Sequence, residues 1–136
     1  MSMVVDASLA LDWIFRSERS ARANRVLEQA IEQGIVVPAI WPAEIANGLL
    51  AGQRRGQLKA TDIPAALALF EELPLSIRAP VGAAAIRVLV DAGSAAGLTA
   101  YDAAYLELAL RESAPLATHD EPLRKAAEIA GVELLV

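Results

Sequence analysis

The residues "MVVDA" at positions 3–7 decide how the rest of the chain is read. Met3, Val4 and Val5 are apolar without alternation, which fits a short strand buried on both faces of a parallel sheet. Asp6 ends that run, and the helical pattern "SLALDWIF" at 8–15 follows at once. A carboxylate therefore stands where a buried strand emerges and a helix begins. In sheets of this kind ligands gather at the carboxyl ends of the strands, beside the point where strand order reverses.

Working outward, the same alternation repeats. Helical patterns cover "SARANRVLEQAIEQG" (20–34), closed by Gly34, "WPAEIANGLLAGQRRG" (41–56), with Pro42 in its first turn and Gly56 at its end, and "TDIPAALALFEEL" (61–73). A long alanine-rich helix over roughly 81–96, "LTAYDAAYLELAL" (98–110) and "EPLRKAAEIAG" (121–131) complete the helices. Strands are expected at "IVVPAI" (35–40), "LSIRA" (75–79), "PLATHD" (115–120) and "VELLV" (132–136). The expected fold is α/β, with a parallel sheet covered by helices on both faces. Order 3-2-1-4-5 would make the first and fourth strands neighbours at the switch point.

The chain has 136 residues, the size of one domain spanning 1–136, and is 55% hydrophobic before glycine is counted. That exceeds the ~45–50% of average usage and implies buried strands plus apolar surface for a partner. There is no cysteine, which removes disulfides and thiolate metal sites and fits a reducing compartment. "MSMVVDAS" lacks the basic region of a signal peptide, and no apolar run nears the ~18 residues of a membrane span. The expected setting is cytoplasmic, without a membrane. Net charge is −5, against nonspecific nucleic-acid binding through overall charge but not against a local basic track.

Four carboxylates begin helices with apolar faces: Asp6, Glu44, Asp102 and Asp120. Each has an ordinary explanation. Asp6 and Asp120 are plausible N-caps, Glu44 favours the positive end of its helix, and Thr99-x-x-Asp102 approximates a capping box. Together they are the ends most apt to face one cleft. Asp102 is the pointed case, because on a 3.6-residue period it shares the side of Leu98, Tyr101, Tyr105, Leu106 and Ala109. Converging carboxylates raise one another's pKa unless a cation neutralises them. Oxygen-only ligation, with His119 the single histidine, suits Mg²⁺ or Mn²⁺ rather than zinc. Such ions activate a water and steady the leaving oxygen of a phosphodiester.

"VVDAS", "PAEIANGL" (42–49), "LTAYDAAYLELAL" and "PLATHD" resemble, in order and over nearly the whole chain, the PIN domain. More narrowly they resemble the ribonuclease toxin of VapBC-type toxin–antitoxin modules. The resemblance implies a five-stranded parallel sheet of order 3-2-1-4-5 and assigns the acidic quartet to Asp6, Glu44, Asp102 and Asp120 as catalytic metal ligands. It implies Mg²⁺- or Mn²⁺-dependent endoribonuclease activity on structured RNA, commonly transfer or ribosomal RNA. It also implies a small VapB-type antitoxin as partner, and a homodimer. Ser8, Asn47 and Thr118 match supporting polar positions.

Arg54, Arg55 and Lys59, and separately Arg22 and Arg25, are candidate phosphate contacts or simply solvated helix residues. His119 reads as an exposed loop bystander rather than a general base, because a metal-bound water needs none. Trp13 and Trp41 read as core or partner-interface anchors rather than base-stacking platforms. A receiver domain of a response regulator fails, because the third strand ends in "SIRAP" without a carboxylate. A catalytically inert PIN-fold binding module is the remaining alternative, disfavoured by the intact quartet.

Overall fold

A computed structural model describes residues 2–136. Four short strands form a parallel sheet of order β3-β2-β1-β4: β1 (Met3–Val5), β2 (Ile35–Val37), β3 (Leu75–Ile77) and β4 (Leu116–Ala117). The order 3-2-1-4 is the one expected. β1 and β2 are buried throughout, as their unbroken aliphatic sequences require, and the edge strand β3 leaves Ile77 exposed.

The fifth strand expected at 132–136 is a correction. It shrinks to a single parallel bridge between Leu116 and Leu134, made by Leu116 N–H to Glu133 O and Leu135 N–H to Leu116 O. β4 is only two residues long, so there is little ladder to extend. The other strands are also shorter than read. Pro38 stops β2, and Asp6 leaves β1 to cap a helix.

Among the described residues seven α-helices accompany the sheet: α1 (Ala7–Leu11), α2 (Ser20–Gln33), α3 (Trp41–Arg54), α4 (Ile63–Glu72), α5 (Ala84–Ala96), α6 (Ala100–Glu112) and α7 (Glu121–Ala130). α1 is shorter than the sequence pattern implied and gives way to turns after Leu11. α6 is the most deeply set, with Ala103 to Leu106, Leu108 and Ala109 all buried. Tyr101, expected on that buried side, is 62% exposed.

Two glycines set the approach of α1 and its following turn to α3. A Cβ on Gly48 would lie 2.3 Å from Leu11 Cδ1, and one on Gly52 would lie 2.4 Å from Phe15 Cζ. The missing side chains let α1 lie against α3, which carries the Asp6 end of one helix toward Glu44 on the other. Trp41, 2% exposed, closes the same corner by donating its indole N–H to Val5 O at 2.9 Å. It also meets Phe70 edge-on, so it is a core anchor as expected. Trp13 bonds Ala23 O at 2.8 Å and packs beside the same Phe70.

Candidate active site

β1 and β4 pair in parallel with Val5 opposite Ala117, so Asp6 and Thr118 leave the sheet side by side. Here the carboxyl ends of the two strands open into a cavity of about 350 Å³. Asp6, Glu44, Asp102 and Asp120 all line it, with Ser8, Asn47 and Gly48 among the remaining residues. Among the described residues no lysine, arginine or histidine lines it. The sequence-derived quartet is thus brought together from the end of β1 and the starts of α3, α6 and α7.

Hydroxyls organise the Asp6 side. Thr118, fully buried, donates to Asp6 Oδ2 at 2.7 Å and accepts from the Asp120 N–H at 3.1 Å. Ser8 Oγ donates to the same Asp6 oxygen at 2.9 Å. Asp6 caps α1 through the Ser8 N–H at 3.4 Å, and Asp120 caps α7 through the Leu123 N–H at 3.0 Å. The ordinary capping roles are therefore real for both, alongside their place in the cavity lining. Thr99 caps α6 by accepting from the Asp102 N–H at 3.2 Å.

The electrostatics follow from this convergence. Burial raises the Glu44 carboxyl above its ordinary pKa, a hydrogen bond from Tyr105 opposes the rise, and Asp6 and Asp102 add to it. Asp102 is raised by burial first, then by Asp120 and Asp6, with the Thr99 hydroxyl pulling slightly the other way. Each of these two acids feels two others of the quartet.

Tyr105 was not singled out from sequence. Its hydroxyl donates to Glu44 Oε1 at 2.5 Å and accepts from the Ala7 N–H at 3.3 Å, while the side chain is fully buried. The available signal was its place one turn after Asp102, where a buried phenol needs a polar partner. His119 needs a different correction, because it is not an exposed bystander. Its side chain is 8% exposed, with Nε2 3.6 Å from Asp12 Oδ2. Burial, together with Arg19, Arg124 and Arg22, lowers its pKa against the pull of Asp12. It is not among the residues lining the acidic cavity.

The basic candidates lie apart from the acids. Arg54 is in the last turn of α3 while Glu44 is in the first, about 15 Å of helix away. Arg54, Arg55 and Lys59 are exposed, as are Arg22 and Arg25 on α2.

The donor set fits a hard divalent cation: four carboxylates, a hydroxyl and an amide, without nitrogen-ring or sulfur ligands. Among the described residues no three acidic or histidine side chains already sit tightly enough to ligate one ion by themselves.

Known proteins share this fold. The family model of the PIN domain matches residues 3–129. Ribonuclease VapC3 of Pyrobaculum aerophilum is 36% identical over 126 residues, covering 90% of this chain and 92% of that protein. In structure, PAE2754 of Pyrobaculum aerophilum superposes with a TM-score of 0.73 at 18% identity, covering 99% of this chain and 91% of that one. FitAcB of Neisseria gonorrhoeae gives 0.63 at 20% identity, covering 97% and 95%. FitAB bound to an IR36 DNA fragment gives 0.60 at 18% identity, covering 97% and 92%. A parallel β3-β2-β1-β4 sheet, four acids at its carboxyl edge and a family match over nearly the whole chain lead to one assignment: this chain belongs to the PIN-domain family.

Proposed function

We propose that the chain is a divalent-metal-dependent endoribonuclease and the toxin of a VapBC-type toxin–antitoxin module. One observation carries the reading. Asp6, Glu44, Asp102 and Asp120 line a single cavity that contains no cationic side chain to balance them. Four acids left uncompensated in one cleft are unfavourable as a fold element and useful as a cation site. The likeness to a protein named ribonuclease VapC3 supports RNA as the substrate class.

Mg²⁺ or Mn²⁺ bound there would supply Lewis acidity, activating a water and offsetting charge on a phosphodiester leaving oxygen. The chain's own residues do the rest. Thr118 and Ser8 hold one oxygen of Asp6, and Thr118 also holds the Asp120 backbone, so these two acids keep a fixed spacing. Asn47, one turn beyond Glu44, offers an amide to substrate or water at the rim. Arg54, Arg55 and Lys59 would meet RNA phosphates away from the scissile bond.

The partners that fit this reading are a VapB-type antitoxin, the RNA substrate and a second copy of the chain. Apolar surface is available for protein partners: Val81 is 85% exposed, Ile86 69%, Val90 58% and Ile129 81%. No helix among the described residues is long and apolar enough to cross a membrane.

Calorimetric titration with Mn²⁺ tests the reading. Saturable binding that Asp6→Asn abolishes is the expected result. A wild-type chain that takes up no Mn²⁺ would leave the inert binding module standing instead.

A further inference from the structure

We infer that Tyr105 is a positioning residue that presets Glu44 for cation binding and ties it to the Asp6 end of α1. The inference rests on the metal-site reading of the cleft given above. The phenol hydroxyl has one proton to donate and lone pairs to accept with, and both capacities are used. It donates to Glu44 Oε1 at 2.5 Å, and it accepts from the N–H of Ala7, the residue directly after Asp6, at 3.3 Å. Tyr105 itself stands one turn after Asp102 on α6. One fully buried side chain therefore connects the helices bearing Asp102 and Glu44 with the start of the helix that Asp6 caps.

The consequence for Glu44 is directional. With Oε1 engaged by the phenol, Oε2 is the oxygen left to meet a cation, and the swing of a long side chain is removed before the ion arrives. The Ala7 N–H is one of the donors that a helix N-terminus leaves unpaired, so the hydroxyl also satisfies a group that burial would otherwise orphan.

Tyr105→Phe removes one oxygen and nothing else, and Mn²⁺ titration of the full chain reads the effect without substrate. Affinity should fall about 10- to 100-fold, the usual range for losing a partner that orients a metal ligand. In a Glu44→Gln background the same change should cost little more, because the residue being positioned is already altered. In wild-type NMR spectra the Tyr105 hydroxyl proton should exchange slowly, lie downfield and show a contact to the Ala7 amide. This measurement stands even if Tyr105→Phe folds poorly.

Unchanged Mn²⁺ affinity in Tyr105→Phe, losses that add in full across the two sites, or absence of the hydroxyl proton each overturns the role of Tyr105. A wild-type chain with the hydroxyl proton in place and no Mn²⁺ binding overturns the metal-site reading itself, and this role with it.

Discussion

Thr118 Oγ1 lies 2.7 Å from Asp6 Oδ2, a fully buried hydroxyl against a carboxylate that is 6% exposed. The same hydroxyl accepts from the Asp120 N–H, so it links two acids that follow the neighbouring strands β1 and β4. Thr118→Val keeps the shape and removes both bonds. Stability should fall by about 1–3 kcal/mol, and denaturant unfolding would show it. RNA cleavage should drop at least about tenfold, as for other groups that orient metal ligands. Thr118→Ser should restore most of both.

Glu44 and Asp102 make the metal-free protein sensitive to pH in an unusual direction. Their folded pKa values stand above the ordinary 4.5 and 3.8. A carboxyl of this kind costs nothing when protonated in both states, below its unfolded value. The cost builds as pH rises through the window from the unfolded to the folded value, and it is full above that window. For these two groups, metal-free stability should therefore rise as pH is lowered through the window. Asp102→Asn should raise the metal-free melting temperature by a few degrees at neutral pH, and Mg²⁺ should do the same for the wild type but not the variant. Differential scanning calorimetry with and without EDTA distinguishes these outcomes.

Much of this was legible in the sequence, for reasons specific to certain residues. "MVV" and "IVV" are short, uniformly aliphatic runs that fit buried strands, and Asp6 marks where β1 ends, whereas Asp120, read as closing the fourth strand, stands three residues beyond Ala117 as the cap of α7. The four acids could be named because each opens a helix beside apolar residues. What stayed hidden depends on contacts between distant segments. Tyr105 meets Glu44 across 61 positions, and Gly48 and Gly52 matter only because Leu11 and Phe15 face them. His119 looked like an open loop residue because nothing in its neighbourhood announces Asp12. The fifth strand has strand-like residues, but the two-residue β4 offers it almost nothing to pair with.

The Gly48 contact gives a packing test. Gly48→Ala should gain up to about 1 kcal/mol in helix propensity and lose more than that by forcing Leu11 off α3, as overpacked sites cost about 1–3 kcal/mol. The expected result is a net loss of stability in chemical denaturation, together with weaker Mn²⁺ binding, because α1 carries the Asp6 end of the site. A stabilised variant would mean that the two helices are not held at this distance.

His119 should be dispensable for chemistry. It is not among the residues lining the cavity and its ring nitrogen faces Asp12, so His119→Asn should keep the single-turnover cleavage rate within about threefold. A true general base would cost about 100-fold or more when removed.

The most direct test is Mg²⁺-dependent cleavage of a defined structured RNA by the wild type and by Asp102→Asn, each with and without EDTA, after circular dichroism shows both folded. The expected result is cleavage by the metal-loaded wild type alone, with the variant and both EDTA samples reduced by at least about a thousandfold. Full cleavage by Asp102→Asn, or cleavage that EDTA leaves undiminished, would contradict a site built from Asp6, Glu44, Asp102 and Asp120.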